Sequence, residues 1–147
     1  METITVTVRN GDRVYTFTLP DDLNIDEANI NDHISRQPGL YAWQGVIAAR
    51  AAQERDIALN NYKDKMAEIE LQVRAEFAKS GEKTTEDKIR AVVQTNAIVQ
   101  AFRQKLVAAE LNASEAAVLK EATFQKGLML TALAANLRSE KNQQASA

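Results

Sequence analysis

Arg74 stands three residues before Phe77, and Lys79, Lys83 and Lys88 follow around a single glycine, Gly81. Guanidinium and ammonium groups neutralise phosphates, and a ring gives an unpaired base a face to stack on. These residue types in this order resemble the parts of a single-strand nucleic-acid binder. Arg90 extends the set. The stretch ELQVRAEFAKSGEKTTEDKIR also has a plainer reading. Glu70–Arg74 and Glu86–Arg90 are i,i+4 pairs with the acid first, and Glu76–Lys79 is an i,i+3 pair. Such pairs stabilise a solvated helix by a few tenths of a kcal/mol each. They leave Lys83 and Lys88 without a helical partner. Phe77 itself prolongs an apolar stripe and reads as core before it reads as a base platform.

Other chemistry is thinly represented. His33 is the single histidine and reads as a surface or capping residue. The absence of cysteine removes disulfides, thiolate metal sites and cysteine nucleophiles. KSGEKTTE lacks the spacing of a phosphate-binding loop. Several carboxylates, such as Asp32, Glu54, Glu70 and Glu86, sit four residues from a base and read as solvated helix pairs. No catalytic constellation, cofactor or metal site is expected, so the chain does not read as an enzyme.

The 147 residues suit one domain, with 45% apolar residues and few Gly or Pro, a helical composition. No apolar run reaches the roughly 18 residues of a membrane span. The start METITVTVRNG lacks the basic and apolar blocks of a signal peptide, so a cytosolic protein is expected. Charge is uneven. Residues 1–32 carry seven acids against two bases, and the remaining 115 carry 13 acids against 16 bases.

The elements that must position these residues begin with TITVTVRNGDRVYTFTL, a β-hairpin turning at Asn10-Gly11. A two-residue turn there sets Val6 against Tyr15 and Ile4 against Phe17, with Val8 on the same face. A lone hairpin is marginal in water, so this face must pack on helices or on another subunit. Its open edges invite neighbouring strands. Ile4, Val6, Tyr15 and Phe17 are therefore the candidate oligomerisation residues. A short helix is expected at about 26–36, with Pro38 opening a new helix to about residue 79. That helix carries Leu59, Tyr62, Met66, Ile69 and Val73 in heptad spacing, preceded by Leu40, Trp43 and Ile47. Gly81 ends it, and Thr84 or Thr85 caps the next. Ile89, Val92, Val99 and Leu106 form the following stripe, with Asn96 on it as a register-fixing polar residue. LNASE at 111–115 marks a kink or cap. Val118, Ala122, Met129, Leu133 and Leu137 face inward on the last helix. The expected organisation is a hairpin at 1–20, a helical domain at 21–138 and a polar, frayed tail at 139–147. The fold class is mainly α, a long helical hairpin or bundle whose narrow stripes call for a homo-oligomer.

The order of IDEANINDHI, GLYAW with Leu40, Tyr41 and Trp43, and a long helix ending in LQVRAEFAKSG resembles the UvsY-type recombination mediators of bacteriophages, over residues 23–138. The hairpin at 1–19 lies outside that pattern. In the family a Lys and an Arg two apart on the long helix contribute to binding single-stranded DNA. Arg74 matches that Arg, and Gln72 stands at the Lys position, so nearby lysines must supply charge. The resemblance implies a non-catalytic ring in the cytoplasm of an infected bacterial cell. It would bind single-stranded DNA, ease off the single-strand-binding protein and load a RecA-like recombinase. Arg74, Lys79, Lys83, Lys88 and Arg90 are then the candidate DNA contacts, and Tyr41 and Trp43 packing residues. The competing expectation is a phage structural or assembly protein, a scaffold or chaperone, without DNA binding.

Overall fold

The computed structural model describes residues 2–147. Two antiparallel strands, β1 (Ile4–Asn10) and β2 (Arg13–Leu19), are followed by two 3₁₀ turns at Asp21–Leu23 and Glu27–Asn29. Three helices complete the chain: α1 (Ile30–Ser80), α2 (Glu86–Thr95) and α3 (Ala97–Ser146). The fold is mainly α with an N-terminal hairpin, as the sequence predicts. None of the described helices is long and apolar enough to cross a membrane. The chain divides into two compact units, residues 1–51 with 112–147, and residues 52–111.

In the first unit the hairpin register differs from the expected one. Val6 pairs with Phe17, Val8 with Tyr15 and Ile4 with Leu19. Only Gly11 takes a positive φ, 61°, so the turn residues are Gly11 and Asp12, and Asn10 pairs with Arg13 inside the ladder. A glycine with positive φ at the first central position is the requirement of a type II′ turn. The shift is two residues and therefore leaves every side chain on its expected face.

That face is covered from within the chain. Val8 is fully buried with Ile47 and Ala51 of α1 and Ala113, Ala116 and Leu119 of α3. Val6, Tyr15 and Phe17 pack against this cluster, so three of the four candidate oligomerisation residues serve the chain's own core, and Ile4 is exposed. Alanines at 51, 113 and 116 let the two helices and the hairpin approach closely. Asn112 then reaches β1: its Oδ1 accepts from the Arg9 N–H at 2.7 Å and its Nδ2 donates to the Arg9 carbonyl at 3.1 Å. LNASE is thus no helix boundary, and α3 continues through it and through the predicted tail to Ser146. Pro38 does not open a helix either. It lies inside α1, where Gln37 Nε2 donates to the Thr123 carbonyl of α3. Pro38 has no N–H to offer the Ile34 carbonyl four residues back, so one helical bond is missing there.

In the second unit Ile69 and Val73 of α1 meet Ile89 and Val93 of α2 and Val99 of α3, with Tyr62, Met66 and Phe77 alongside. The α1 stripe is the expected one. On α2 the inward residue is Val93, and Val92 is exposed. Asn96 is a cap: the chain breaks there, and its Oδ1 accepts from Ile98 N at 2.9 Å and Val99 N at 3.2 Å. On α3 the inward row is Leu119, Thr123 and Leu130, one residue beyond the predicted Val118, Ala122 and Met129.

Replacing Asn112 by Ala removes both bonds to Arg9 and should destabilise the protein by about 1–2 kcal/mol. The same change at exposed Asn142 on the same helix should stay within about 0.5 kcal/mol. Urea denaturation of the two variants compares them.

Candidate functional site

The charged stretch folds as the last turns of α1, a glycine turn and the start of α2. Gly81 (φ 68°) takes the left-handed conformation that ends α1. Ser80 Oγ donates to the Phe77 carbonyl at 3.0 Å, closing the final turn. Thr85 caps α2 by accepting from Lys88 N at 3.3 Å, and Glu86 and Asp87 lie in its first turn, where the helix dipole favours anions.

This arrangement sets Glu86 opposite Arg74. The guanidinium meets both Glu86 oxygens, Nη1 to Oε1 at 3.0 Å and Nη2 to Oε2 at 2.7 Å. It also meets Glu70 Oε1, from Nη2 at 2.8 Å and Nε at 3.1 Å. The fork geometry of arginine suits such a bidentate contact. The Arg74 guanidinium is held more firmly charged by the hydrogen bonds it donates to Glu86 and Glu70, and the Glu86 carboxyl is lowered below its ordinary range by hydrogen bonding and then charge attraction from Arg74. Of the expected helical pairs, Glu70–Arg74 forms. Glu86 turns to Arg74 instead of Arg90, and Glu76–Lys79 does not form an ion pair among the described residues.

The five candidate DNA contacts therefore differ in availability. Arg74 is engaged by two carboxylates, and the triad carries one net negative charge. Arg90 lies 3.8 Å from Asp87, and Lys88 lies 3.8 Å from Glu82 with its ammonium 5.3 Å from the Phe77 ring centroid. Lys79 and Lys83 are exposed, and among the described residues neither has an ion-pair partner. Phe77 is half-buried against the second unit's core and partly covered by Lys88, so it is a packing residue. A cleft of about 320 Å³ beside the bridge is lined by Met66, Glu70, Glu86, Ile89, Arg90 and Val93, with one base facing two acids.

The Arg74–Glu86 contact spans twelve residues, beyond any helical spacing, and sequence reading missed it. Its signal was present in the acids that open α2, which a tight turn folds back on α1. His33 behaves as expected of a capping histidine: its Nε2 accepts from Asp26 N at 3.4 Å, just before α1. No family model, curated protein or solved structure matches the chain.

The bridge makes stability depend on pH with a definite sign. Because Glu86 has a depressed folded pKa, its stabilisation is complete above the ordinary carboxylate range and is lost as pH falls through the lowered value. Arg74→Met should lower the urea midpoint at neutral pH. The gap from the parent protein should narrow as pH falls below the ordinary carboxylate range and close once Glu86 is protonated in the folded as well as the unfolded chain. Urea midpoints of both proteins across an acid series measure it.

Proposed function

We propose that this chain is a self-associating, single-strand DNA-binding recombination mediator. It would ease the single-strand-binding protein from a strand and load a RecA-like recombinase, in the cytoplasm of a phage-infected bacterium. The observation that carries this reading is the pair of exposed lysines, Lys79 and Lys83, on either side of the Gly81 turn, which have no ion-pair partner among the described residues, with Lys88 in the first turn of α2. Together with the sequence resemblance to UvsY-type mediators in IDEANINDHI, GLYAW and LQVRAEFAKSG, it favours a strand-binding corner. The structural context redistributes the roles. Lys79, Lys83 and Lys88 neutralise phosphates, Arg74 fixes α2 on α1 so that the lysines are presented, and Arg90 contributes weakly beside Asp87. Two or three phosphate contacts per copy give feeble binding, and several copies on one strand multiply it. Exposed Ile57, Leu71, Val107 and Leu111 offer apolar surface for such association.

The second reading, a phage assembly protein that ignores DNA, is favoured by the engagement of Arg74 with Glu70 and Glu86, which leaves the corner close to neutral. Anisotropy of a labelled oligothymidylate at rising salt separates the two. The mediator reading expects log affinity to fall with log salt by roughly 0.7 per phosphate contact. Lys79→Ala with Lys83→Ala should reduce that slope by about 1.4 per protomer engaged. Arg74→Met, at a temperature where it stays folded, should change affinity less than the lysine pair does. An affinity indifferent to salt, or to loss of both lysines, refutes the proposed contacts. A native mass that is monomeric with and without the oligonucleotide refutes the assembly.

A further inference from the structure

A different set of residues meets at the tip of the hairpin. The turn, β2 and α1 enclose an open groove of about 800 Å³ whose lining includes Asp12, Arg13, Tyr15, Trp43, Val46 and Arg50. Trp43 meets Tyr15 edge-on, with ring centroids 5.0 Å apart at 89°, and Phe17 at 6.0 Å. Two aromatic neighbours brace the indole, yet it remains 37% exposed on the groove. Arg13 and Arg50 are exposed and have no ion-pair partner among the described residues. Asp12 is the single acid of the lining, so the groove carries a net positive charge within a segment that is otherwise acidic.

A rigid, partly open indole flanked by two cations without salt bridges suits one class of ligand. An apolar helix laid into the groove would bury both guanidinium groups without counter-charges, at a heavy desolvation cost. A single strand of nucleic acid supplies what both parts lack: a π face for the indole and phosphates for the arginines. We propose that this groove is a second contact site for single-stranded DNA, with a base stacked on Trp43 and adjacent phosphates on Arg13 and Arg50. The inference rests on the function proposed above and adds a surface distinct from the lysine corner. It also revises the expectation that Trp43 only packs.

Trp43 is the sole tryptophan, so its emission reports on this groove alone. The full-length protein is titrated with labelled oligothymidylate, and label anisotropy and tryptophan emission are read on the same sample. The expected result is quenching that follows the anisotropy curve. Arg13→Ala with Arg50→Ala should weaken binding about tenfold or more and lower the salt slope by about 1.4 per protomer engaged. Trp43→Phe, which keeps a packed ring, should weaken binding by a few fold and abolish the optical signal. Circular dichroism and melting of the double-arginine variant, whose changes are both exposed, verify that it is folded. Unchanged affinity in that variant overturns the groove assignment whatever the emission does, and leaves the lysine corner standing. No anisotropy change with the parent protein, even at low salt, overturns the groove and the proposed function together.

Discussion

A two-stranded ribbon has too little surface to bury its own apolar face, so its existence depends on what it is docked to. Here Val8 is enclosed completely by α1 and α3, and the Asn112 amide offers β1 one donor and one acceptor at the spacing of a peptide group. Arg9 thus meets on its open side what a third strand would have supplied. This closes part of an edge that would otherwise recruit a neighbour, and it fixes how the hairpin lies on the helices. The consequence reaches the surface. With the hairpin held, Tyr15 meets Trp43, and the start of β2 carrying Arg13 lines the same groove as the α1 turn carrying Arg50. The Val8 cluster and the Asn112 bonds together hold the hairpin that forms one wall of the groove.

The second unit has a comparable dependence on one polar contact. The link between α1 and α2 contains one glycine in a left-handed conformation and few apolar residues, so little within the turn itself fixes α2. Two things do: the Ile69, Val73, Ile89 and Val93 cluster, and the fork of Arg74 on Glu86. The fork is half-exposed and screened by solvent, so its contribution lies more in orientation than in energy. Apolar contacts are non-directional, and a bidentate ion pair is not. An arginine that looks from the sequence like a ligand-binding group can therefore be the group that aims its neighbours.

What the sequence revealed and concealed follows from the symmetry of each signal. The alternation in TITVTVRNGDRVYTFTL determines which side chains share a face, but a shift of two leaves that alternation intact, so only the glycine requirement of the turn could select the register. The α1 stripe was legible because Leu59, Tyr62, Met66, Ile69 and Val73 are flanked by polar residues. On α3 the pairs Val118/Leu119 and Met129/Leu130 offer adjacent apolar candidates, and a rotation of one residue was invisible until Val8 and Ile47 were in place to choose Leu119. Local breakers misled in both directions. Pro38 and Asn112 looked like helix boundaries and are interior to helices held by tertiary contacts, while Asn96 looked like a stripe residue and is a boundary. At the candidate site the cations were legible as types, and their availability was not. Pairing across a turn depends on how tightly the chain reverses, which residue spacing does not encode.

The remaining apolar surface bears on how many copies act together. Ile57 and Leu71 on α1 are two heptads apart, and Leu111 and Val118 on α3 are one heptad apart. All four are more than half exposed, Leu71 to 71% and Val118 to 61%. Single exposed apolar residues are ordinary on a monomer and need no account. These four lie off the faces that the two long helices turn to the cores of their own chain. Under the proposed function this exposed apolar surface and the weakness of the cationic contacts are two sides of one constraint. On that proposal two lysines at a corner or two arginines in a groove would hold a strand briefly, since each contact is lost readily to salt. A strand that must be held and then passed on needs many such contacts, and repeating the chain supplies them without making any one contact strong.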